Sequence, residues 1–223
     1  MINIDITLRI SGDFHPNTPV LKGGRFLTMN SHLLKQHTEY TKNHIKDTFI
    51  NLYEKNGLEK LTVSEICKSC NISRPVFYNY FNDKYDLLED IESELLDNIQ
   101  QLNAKMPETP FSNNETTIPK WRETARYISD HRNYIRPLIC TPGDPLFVHK
   151  WNKLIRTDML KRLQFEKLPA ARQNIIAYAM ASATIGLYEY WLQYEPDLSS
   201  DKIAEIGSQL LWSSIYKFKK TVD

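Results

Sequence analysis

Apolar residues recur along most of this chain at three- and four-residue intervals, the spacing that places side chains on one face of an α-helix. Breakers separate the periodic segments: residues 106–119 hold three prolines, and turn sequences occupy 142–145 and 195–197. The pattern predicts helices at 41–55, 84–102, 119–131, 132–140, 145–165 and 169–194, and a last helix from Ser199 or Ser200. The predicted fold is therefore all-α.

Residues 1–28 do not follow this pattern. Apolar and polar residues alternate from Ile2 to Ile10, as in a strand, but no partner strand is predicted elsewhere in the chain. Codons for 22–25 would be purine-rich and resemble a ribosome-binding sequence, and Met29 follows closely. One hypothesis is that translation starts at Met29, which makes residues 1–28 upstream sequence or a disordered tail, and residues 1–34 are assigned to this segment outside the folded domains. The alternative is an arm that adds a strand to a partner.

The spacing of apolar and capping residues over 61–84 predicts two short helices joined by a tight turn. The first helix carries an apolar stripe at helical spacing, and Thr62 or Ser64 can cap its N-terminus. Asn71 stands where a left-handed residue must end the helix. The stripe consists of Val63, Ile66, Cys67 and Cys70.

The second short helix begins near Ser73, which can cap it, and Pro75 suits its first turn because that turn needs no proline N–H. Phe77 and Phe81 form its buried stripe. The remaining side chains point elsewhere, and they are Arg74, Val76, Tyr78 and Asn79. Two helices in this arrangement form a helix-turn-helix that reads DNA.

Residues 41–88 resemble the N-terminal domain of the tetracycline-repressor (TetR) family of transcriptional regulators. The matching positions are Thr62, Ile66, 70–73, Tyr78, 80–81, Lys84 and 87–88. This chain departs from the family where Cys67 and Cys70 replace small alanines and Asn71 replaces the usual glycine. The resemblance implies a three-helix helix-turn-helix DNA-binding domain at 35–88 and a helical effector-binding and dimerisation domain at 89–223.

The resemblance also implies residue roles at a double-stranded operator. Phosphate contacts are assigned to Ser73, Tyr78, Tyr80 and Lys84. Thr62 and Ser64 are assigned contacts with the DNA backbone from the preceding helix. Base edges are assigned to Arg74, Pro75, Val76 and Asn79. Arg74 can bind guanine through two hydrogen bonds and Val76 can contact a thymine methyl. The alternative is structural: Tyr78 or Tyr80 belongs to the core, and Lys84 only starts its helix.

Two features of the C-terminal part predict binding. Aromatic residues can line an effector pocket between helices, although core packing explains any single one of them: Trp121, Tyr127, Tyr134, Phe147, Trp151, Tyr178, Tyr188 and Trp191. The helix at 169–194 is apolar nearly all round, so its second face and that of the last helix predict a twofold four-helix interface, unless both are intramolecular core. The predicted interface residues are Ala179, Ala183, Gly186, Ile206, Leu210 and Ser214.

Composition and motif content narrow the classes of protein that this chain can belong to. The net charge of +1 gives no global field for DNA, so binding depends on local placement. Three cysteines fit a reducing cytoplasm, and no apolar run is long enough for a membrane span. The pair Cys67 and Cys70 fits a redox or metal pair less well than buried structural cysteines. No catalytic, metal or cofactor motif is recognised.

These observations predict a cytoplasmic homodimeric regulator, a repressor, that binds a pseudo-palindromic operator and is released by a small-molecule effector. They predict no enzyme activity and no cofactor. The alternative is a helical regulator or adaptor without a small-molecule ligand that a protein partner controls.

Overall fold

A computed structural model describes residues 24–104, 114–140, 142–162 and 168–212, with side chains for 35–104, 121–140, 142–161 and 168–210. Over this part of the chain the structure is all-α, which confirms the predicted class. The helices are α1 (Gly24–Asn56), α2 (Val63–Cys70), α3 (Arg74–Tyr78), α4 (Lys84–Ala104), α5 (Asn114–Asp130), α6 (Arg132–Ile139), α7 (Pro145–Arg162), α8 (Ala170–Tyr194) and α9 (Ser200–Gly207), followed by a π-helical turn (Ser208–Trp212).

Helix α1 begins at Gly24, earlier than the predicted start at Thr41. No proline or glycine interrupts residues 25–56, so nothing in that stretch breaks a helix. The structure thus includes residues 24–34 in α1, while the assignment of residues 1–34 to a tail stays a prediction and the strand at 2–10 lies outside the described residues. Residues up to Thr41 and those from Lys42 onward form separate compact units, and the account below concerns the second unit.

Helices α1 to α3 enclose a small apolar core. Ile45 and Phe49 of α1 are fully buried, and they pack with the apolar stripes of the two short helices. Gly57 ends α1 in the left-handed conformation with φ of 72°, and its N–H donates to the Tyr53 carbonyl at 2.8 Å. Removing these side chains from water supplies most of the stability of such short helices.

Helix α4 runs through the predicted domain boundary at residue 88 and continues the core into the C-terminal part. Its buried residues extend from Leu87 to Ile99, and it packs on α5 and α7 further along. Helix α7 packs along α8, and α5 packs along α9. Because α4 starts directly after α3 and ends among the C-terminal helices, it joins the DNA-reading segment to the rest of the unit.

Polar contacts reinforce this junction. Lys46 of α1 lies between Asp90 and Glu94 of α4, with its Nζ 2.5 Å from an oxygen of each. Burial opposes the charge on Lys46, but the hydrogen bonds to the two carboxylates outweigh burial and raise the lysine pKa. From α6, Tyr134 donates a hydrogen bond to Asp47 of α1. Ionic and hydrogen-bonded contacts thus hold α1 to α4 and α6, in addition to the core.

Candidate nucleic-acid interface and effector cavity

Helix α2 is fixed at its start by a reciprocal capping interaction. The Glu65 N–H donates to the Thr62 hydroxyl oxygen at 3.2 Å, and the Thr62 N–H donates to a Glu65 carboxylate oxygen at 2.9 Å. This capping box satisfies backbone donors that the helix leaves without partners. Of the two predicted caps, Thr62 is therefore the one used, while Ser64 lies exposed in the first turn.

The turn between α2 and α3 is as the sequence predicts. Asn71 adopts the left-handed conformation with φ of 55°, and its N–H donates to the backbone carbonyl oxygen of Lys68 at 3.3 Å. Ser73 occupies the N-cap position of α3 but makes no side-chain capping bond, so the predicted hydroxyl cap is corrected. Its exposed hydroxyl lies at the start of the helix.

Helix α3 buries one side and exposes the other. Phe77 is fully buried and Phe81 nearly so, with ring centroids 5.8 Å apart. Tyr78 is 53% exposed and meets the edge of Phe77 in a T-shaped contact, and Arg74 forms no ion pair among the described residues. The exposed predicted DNA-contact residues of this segment are Ser73, Arg74, Pro75, Tyr78 and Asn79, with Val76 and Tyr80 half-buried.

The Lys84 ammonium makes hydrogen bonds within the chain. Its Nζ donates to the carbonyl oxygens of Leu58 at 2.8 Å and Leu61 at 2.9 Å, with Glu59 at 3.4 Å. An ammonium has three donors, and these carbonyls occupy them. The phosphate role of Lys84 stays a prediction, and in this structure its side chain ties the start of α4 to the loop before α2.

Capping also fixes the turn from α3 into α4. A carboxylate oxygen of Asp83 accepts hydrogen bonds from the N–H groups of Tyr85 and Asp86, both at 2.8 Å. Asp86 in turn accepts from the Asn82 N–H at 2.7 Å. Carboxylates at a helix N-terminus also match its dipole. Side-chain hydrogen bonds therefore fix the turn that follows the exposed side of α3.

A small aromatic cavity of about 40 Å³ lies among α4, α5, α7 and α8. Three of the predicted pocket residues line it, namely Trp121, Trp151 and Tyr188. The rings of Trp151 and Tyr188 are nearly parallel, with an interplanar angle of 6° and centroids 5.9 Å apart. Complete burial raises the pKa of Tyr188, so its phenol stays protonated. We call this space, defined by the three rings, the aromatic cavity.

The remaining predicted pocket residues lie elsewhere. Tyr127 and Tyr134 line a separate space of about 280 Å³ between α1, α4 and the ends of α5 and α6. Phe147 is buried in the core against Trp151, and the Trp191 indole N–H donates to the Leu198 carbonyl at 2.8 Å. Both side chains are buried and neither lines the aromatic cavity, so they are core residues.

Comparison with known proteins matches both parts of the chain. Residues 47–91 match the model for bacterial regulatory proteins of the tetR family, and residues 115–212 match a transcriptional regulator C-terminal region, so the two models together cover more than half of the sequence. The chain belongs to the TetR family. Its helix-turn-helix is thus a DNA-binding element of a transcriptional regulator.

Individual relatives are distant. The HTH-type regulator YxbF of Bacillus subtilis is 22% identical over 174 residues, which cover 74% of this chain and 44% of YxbF. The HTH-type regulator AcrR of Shigella flexneri is 33% identical over 82 residues, or 35% of this chain and 38% of AcrR. The chain thus spans less than half the length of either relative. A TetR-like regulator from Rhodococcus sp. RHA1 shares the fold with a TM-score of 0.60 and 16% identity over 78% of this chain and 95% of that one.

In this TetR-family chain, α8 presents an apolar face that no described residue covers. Ile175 is 68% exposed, and Tyr178 is 57% exposed. Tyr178 therefore does not line the aromatic cavity, which corrects its assignment to the effector pocket. The predicted dimer residues Ala179, Ala183 and Gly186 are exposed on the same helix, as is Leu210 beyond α9, whereas Ile206 is half-buried and Ser214 lies outside the described residues.

Some residues of the site were not predicted. Gly207 of α9 lies under the Trp121 ring, and a Cβ there would come within 2.5 Å of that ring. The absence of a side chain therefore sets the position of Trp121 at the cavity wall. Ile99 of α4 and Met159 of α7 also line the cavity, and their helical periodicity marks them only as buried residues.

The described residues show no reactive cysteine pair and no metal site. Cys67 and Cys70 are free, buried thiols whose pKa values burial raises, which keeps them in the unreactive thiol form. Among the described residues, no cluster of three or more His, Cys, Asp or Glu is placed to hold a metal ion. In the same part of the chain, none of the helices has the length and hydropathy to cross a membrane.

Proposed function

We propose that this protein is a cytoplasmic homodimeric repressor that binds a pseudo-palindromic operator and releases it when a small molecule binds. The observation that carries the proposal is the exposed side of α3. Arg74, Tyr78 and Asn79 project from a short helix whose other side is buried in a capped three-helix core. A rigid helix with exposed polar residues is what entry into the major groove requires.

The proposed contacts divide by type. Arg74, Pro75, Val76 and Asn79 face base edges, and Arg74 gives the strongest discrimination because a guanidinium can make two hydrogen bonds to guanine. Phosphates are contacted by Ser73, Tyr78 and Tyr80, with Thr62 and Ser64 approaching the backbone from the start of α2. The net charge of +1 makes these local contacts more important than a general attraction to DNA.

The proposed dimer forms through the exposed apolar face of α8 and the adjoining α9. Ile175, Tyr178 and Leu210 would otherwise expose large apolar side chains to water. The small side chains at Ala179, Ala183 and Gly186 let a second helix approach closely. A twofold axis at this face places the same surface of two copies together and sets two α3 helices apart for successive major grooves.

The proposed effector site is the aromatic cavity. It contacts α4, which begins directly after the α3 turn, so a ligand that alters the position of α4 changes the spacing of the two DNA-reading segments. A ligand that binds more tightly to the state with the wrong spacing lowers operator affinity by that difference in binding free energy.

The proposal is tested by selecting bound sequences from random duplex DNA with the full chain, then measuring affinity for the selected duplex and a scrambled one by fluorescence anisotropy at several salt concentrations. We expect specific binding at least about a thousandfold tighter than non-specific binding, with affinity falling as salt rises. Equal affinities for the two duplexes would contradict a sequence-specific regulator and favour a helical adaptor.

A further inference from the structure

A groove lined by lysines adjoins the aromatic cavity. It lies between the C-terminal end of α4 and one face of α7, and it encloses about 1040 Å³, much of it open to solvent. Asn103 and Asp158 line both spaces, so the cavity and the groove are contiguous. We call the second space the lysine groove, after Lys150, Lys153 and Lys161.

The cavity end of this combined site is apolar, with one polar feature. Trp151 is 1% exposed, and its indole N–H has no acceptor among the described residues. A buried indole N–H normally has a hydrogen-bond partner, and leaving it unpaired costs free energy. The cavity therefore favours an occupant with a large apolar body and a hydrogen-bond acceptor, such as an oxygen atom.

The groove end carries surplus positive charge. Lys150 pairs with the buried carboxylate of Glu92 at 2.7 Å, and Glu92 is therefore not free to neutralise the other lysines. Lys153 and Lys161 are exposed and form no ion pair among the described residues. Asp158 lies one helical turn before Lys161 and offsets part of this charge. One positive charge is left over.

We propose that the two spaces form one effector site for an anionic molecule with an apolar body. The end of the body enters the aromatic cavity, and a carboxylate or similar oxyanion lies in the lysine groove near Lys153 and Lys161. This inference rests on the proposed function, since it names the chemical class of the effector. The rival occupant is an organic cation, which aromatic faces and Asp158 would attract instead.

The location explains how such a ligand acts on DNA binding. Ile99 and Asn103 of α4 line the site on one side, and α7 lines it on the other. An occupant between them alters the packing of α4 on α7. Operator binding and ligand binding are then coupled reciprocally, so operator DNA weakens ligand affinity by the same factor as the ligand weakens operator affinity.

Three probes with eight-carbon chains and different head groups test the charge preference by isothermal titration calorimetry on the full chain: octanoate, octan-1-ol and octyltrimethylammonium. We expect octanoate to bind most tightly. Tightest binding by octyltrimethylammonium would overturn the proposal in favour of a cation site. Equal binding of octanoate and octanol, or no binding of any probe, would overturn it as well.

Variants locate the interaction. The double substitution Lys153→Gln and Lys161→Gln should weaken octanoate roughly three- to tenfold and leave octanol unchanged, because each exposed charge contributes modestly. Lys60→Gln, at an exposed lysine outside the groove, is the matched control and should change neither. Unchanged octanoate binding in the double variant would overturn the proposed head-group position.

Failure of this inference can be told apart from failure of the proposed function. The same preparations are assayed for binding to the selected duplex without any probe. Specific DNA binding by a protein that ignores all three probes would overturn the effector class alone. Loss of specific DNA binding with intact octanoate binding would overturn the regulator and retain the ligand site.

Discussion

Replacing Lys84 by methionine tests the structural role of this residue most sharply. Methionine keeps most of the apolar stem and removes the ammonium that donates to the carbonyls of Leu58 and Leu61 at 2.8 and 2.9 Å. A hydrogen bond to a charged group contributes about 1.5 to 3 kcal/mol. Because Lys84 is only half-buried and water can reach the carbonyls in part, we expect the two bonds together to contribute about 2 to 3 kcal/mol.

The measurement is equilibrium unfolding of the full chain in urea, followed by circular dichroism. Lys84→Met should lower the transition midpoint with an unchanged slope, since the change concerns stability and not compactness. Lys60→Met, at an exposed lysine of the same loop, should leave the midpoint within about 0.5 kcal/mol of the original. Unchanged stability of Lys84→Met, together with weaker binding to all DNA sequences and a flatter salt dependence, would place the ammonium on a phosphate and refute this reasoning.

Three further outcomes follow from the same structure. Arg74→Ala should weaken binding to the selected duplex by about 1 to 3 kcal/mol and relax the preference at one base position per half-site, and an unchanged preferred sequence on reselection would remove Arg74 from base reading. Gly186→Glu should give monomers or aggregates on sedimentation, because a Cβ at this exposed position meets nothing within the chain while the added carboxylates of two copies would meet at the proposed twofold face. Asn133→Glu, at an exposed position of α6, should stay dimeric. Burial raises the pKa of Glu92 despite Lys150 beside it. The protonated Glu92 carboxyl group therefore stabilises the fold below the ordinary glutamate pKa of 4.5, and this stabilisation is lost as pH rises through the raised pKa of the folded state. Glu92→Gln should flatten that fall in a pH series of urea unfolding, and identical pH profiles would show that Glu92 has an unperturbed pKa.

Local sequence signals predicted the helices and the turns between them, because their causes lie within a few residues. Asn71 and Gly57 both adopt the left-handed conformation that ends a helix, and Thr62 forms the expected cap. The start of α1 was missed because a stretch without breakers gives no local sign of where a helix begins. Boundaries without a capping residue or a breaker are set by the rest of the fold.

Roles that depend on distant parts of the chain could not be predicted in the same way. The partners of Lys84 are carbonyls 23 to 26 residues earlier in the sequence, and only the folded loop brings them to its ammonium. Tyr178 and Tyr188 belong to one helix that is apolar nearly all round, so periodicity does not tell the cavity side from the exposed side. The packing of α7 on α8 decides between them.

The central claim is that two copies of this TetR-family chain place their α3 helices in successive major grooves of one operator. Hydroxyl-radical footprinting of the selected duplex, with the bound stoichiometry measured by sedimentation, tests it most directly. The account predicts a twofold-symmetric footprint with half-site centres about one helical turn, or about 10 base pairs, apart, or a multiple of that distance, and an even number of chains bound. A single asymmetric protected region occupied by one chain would contradict it.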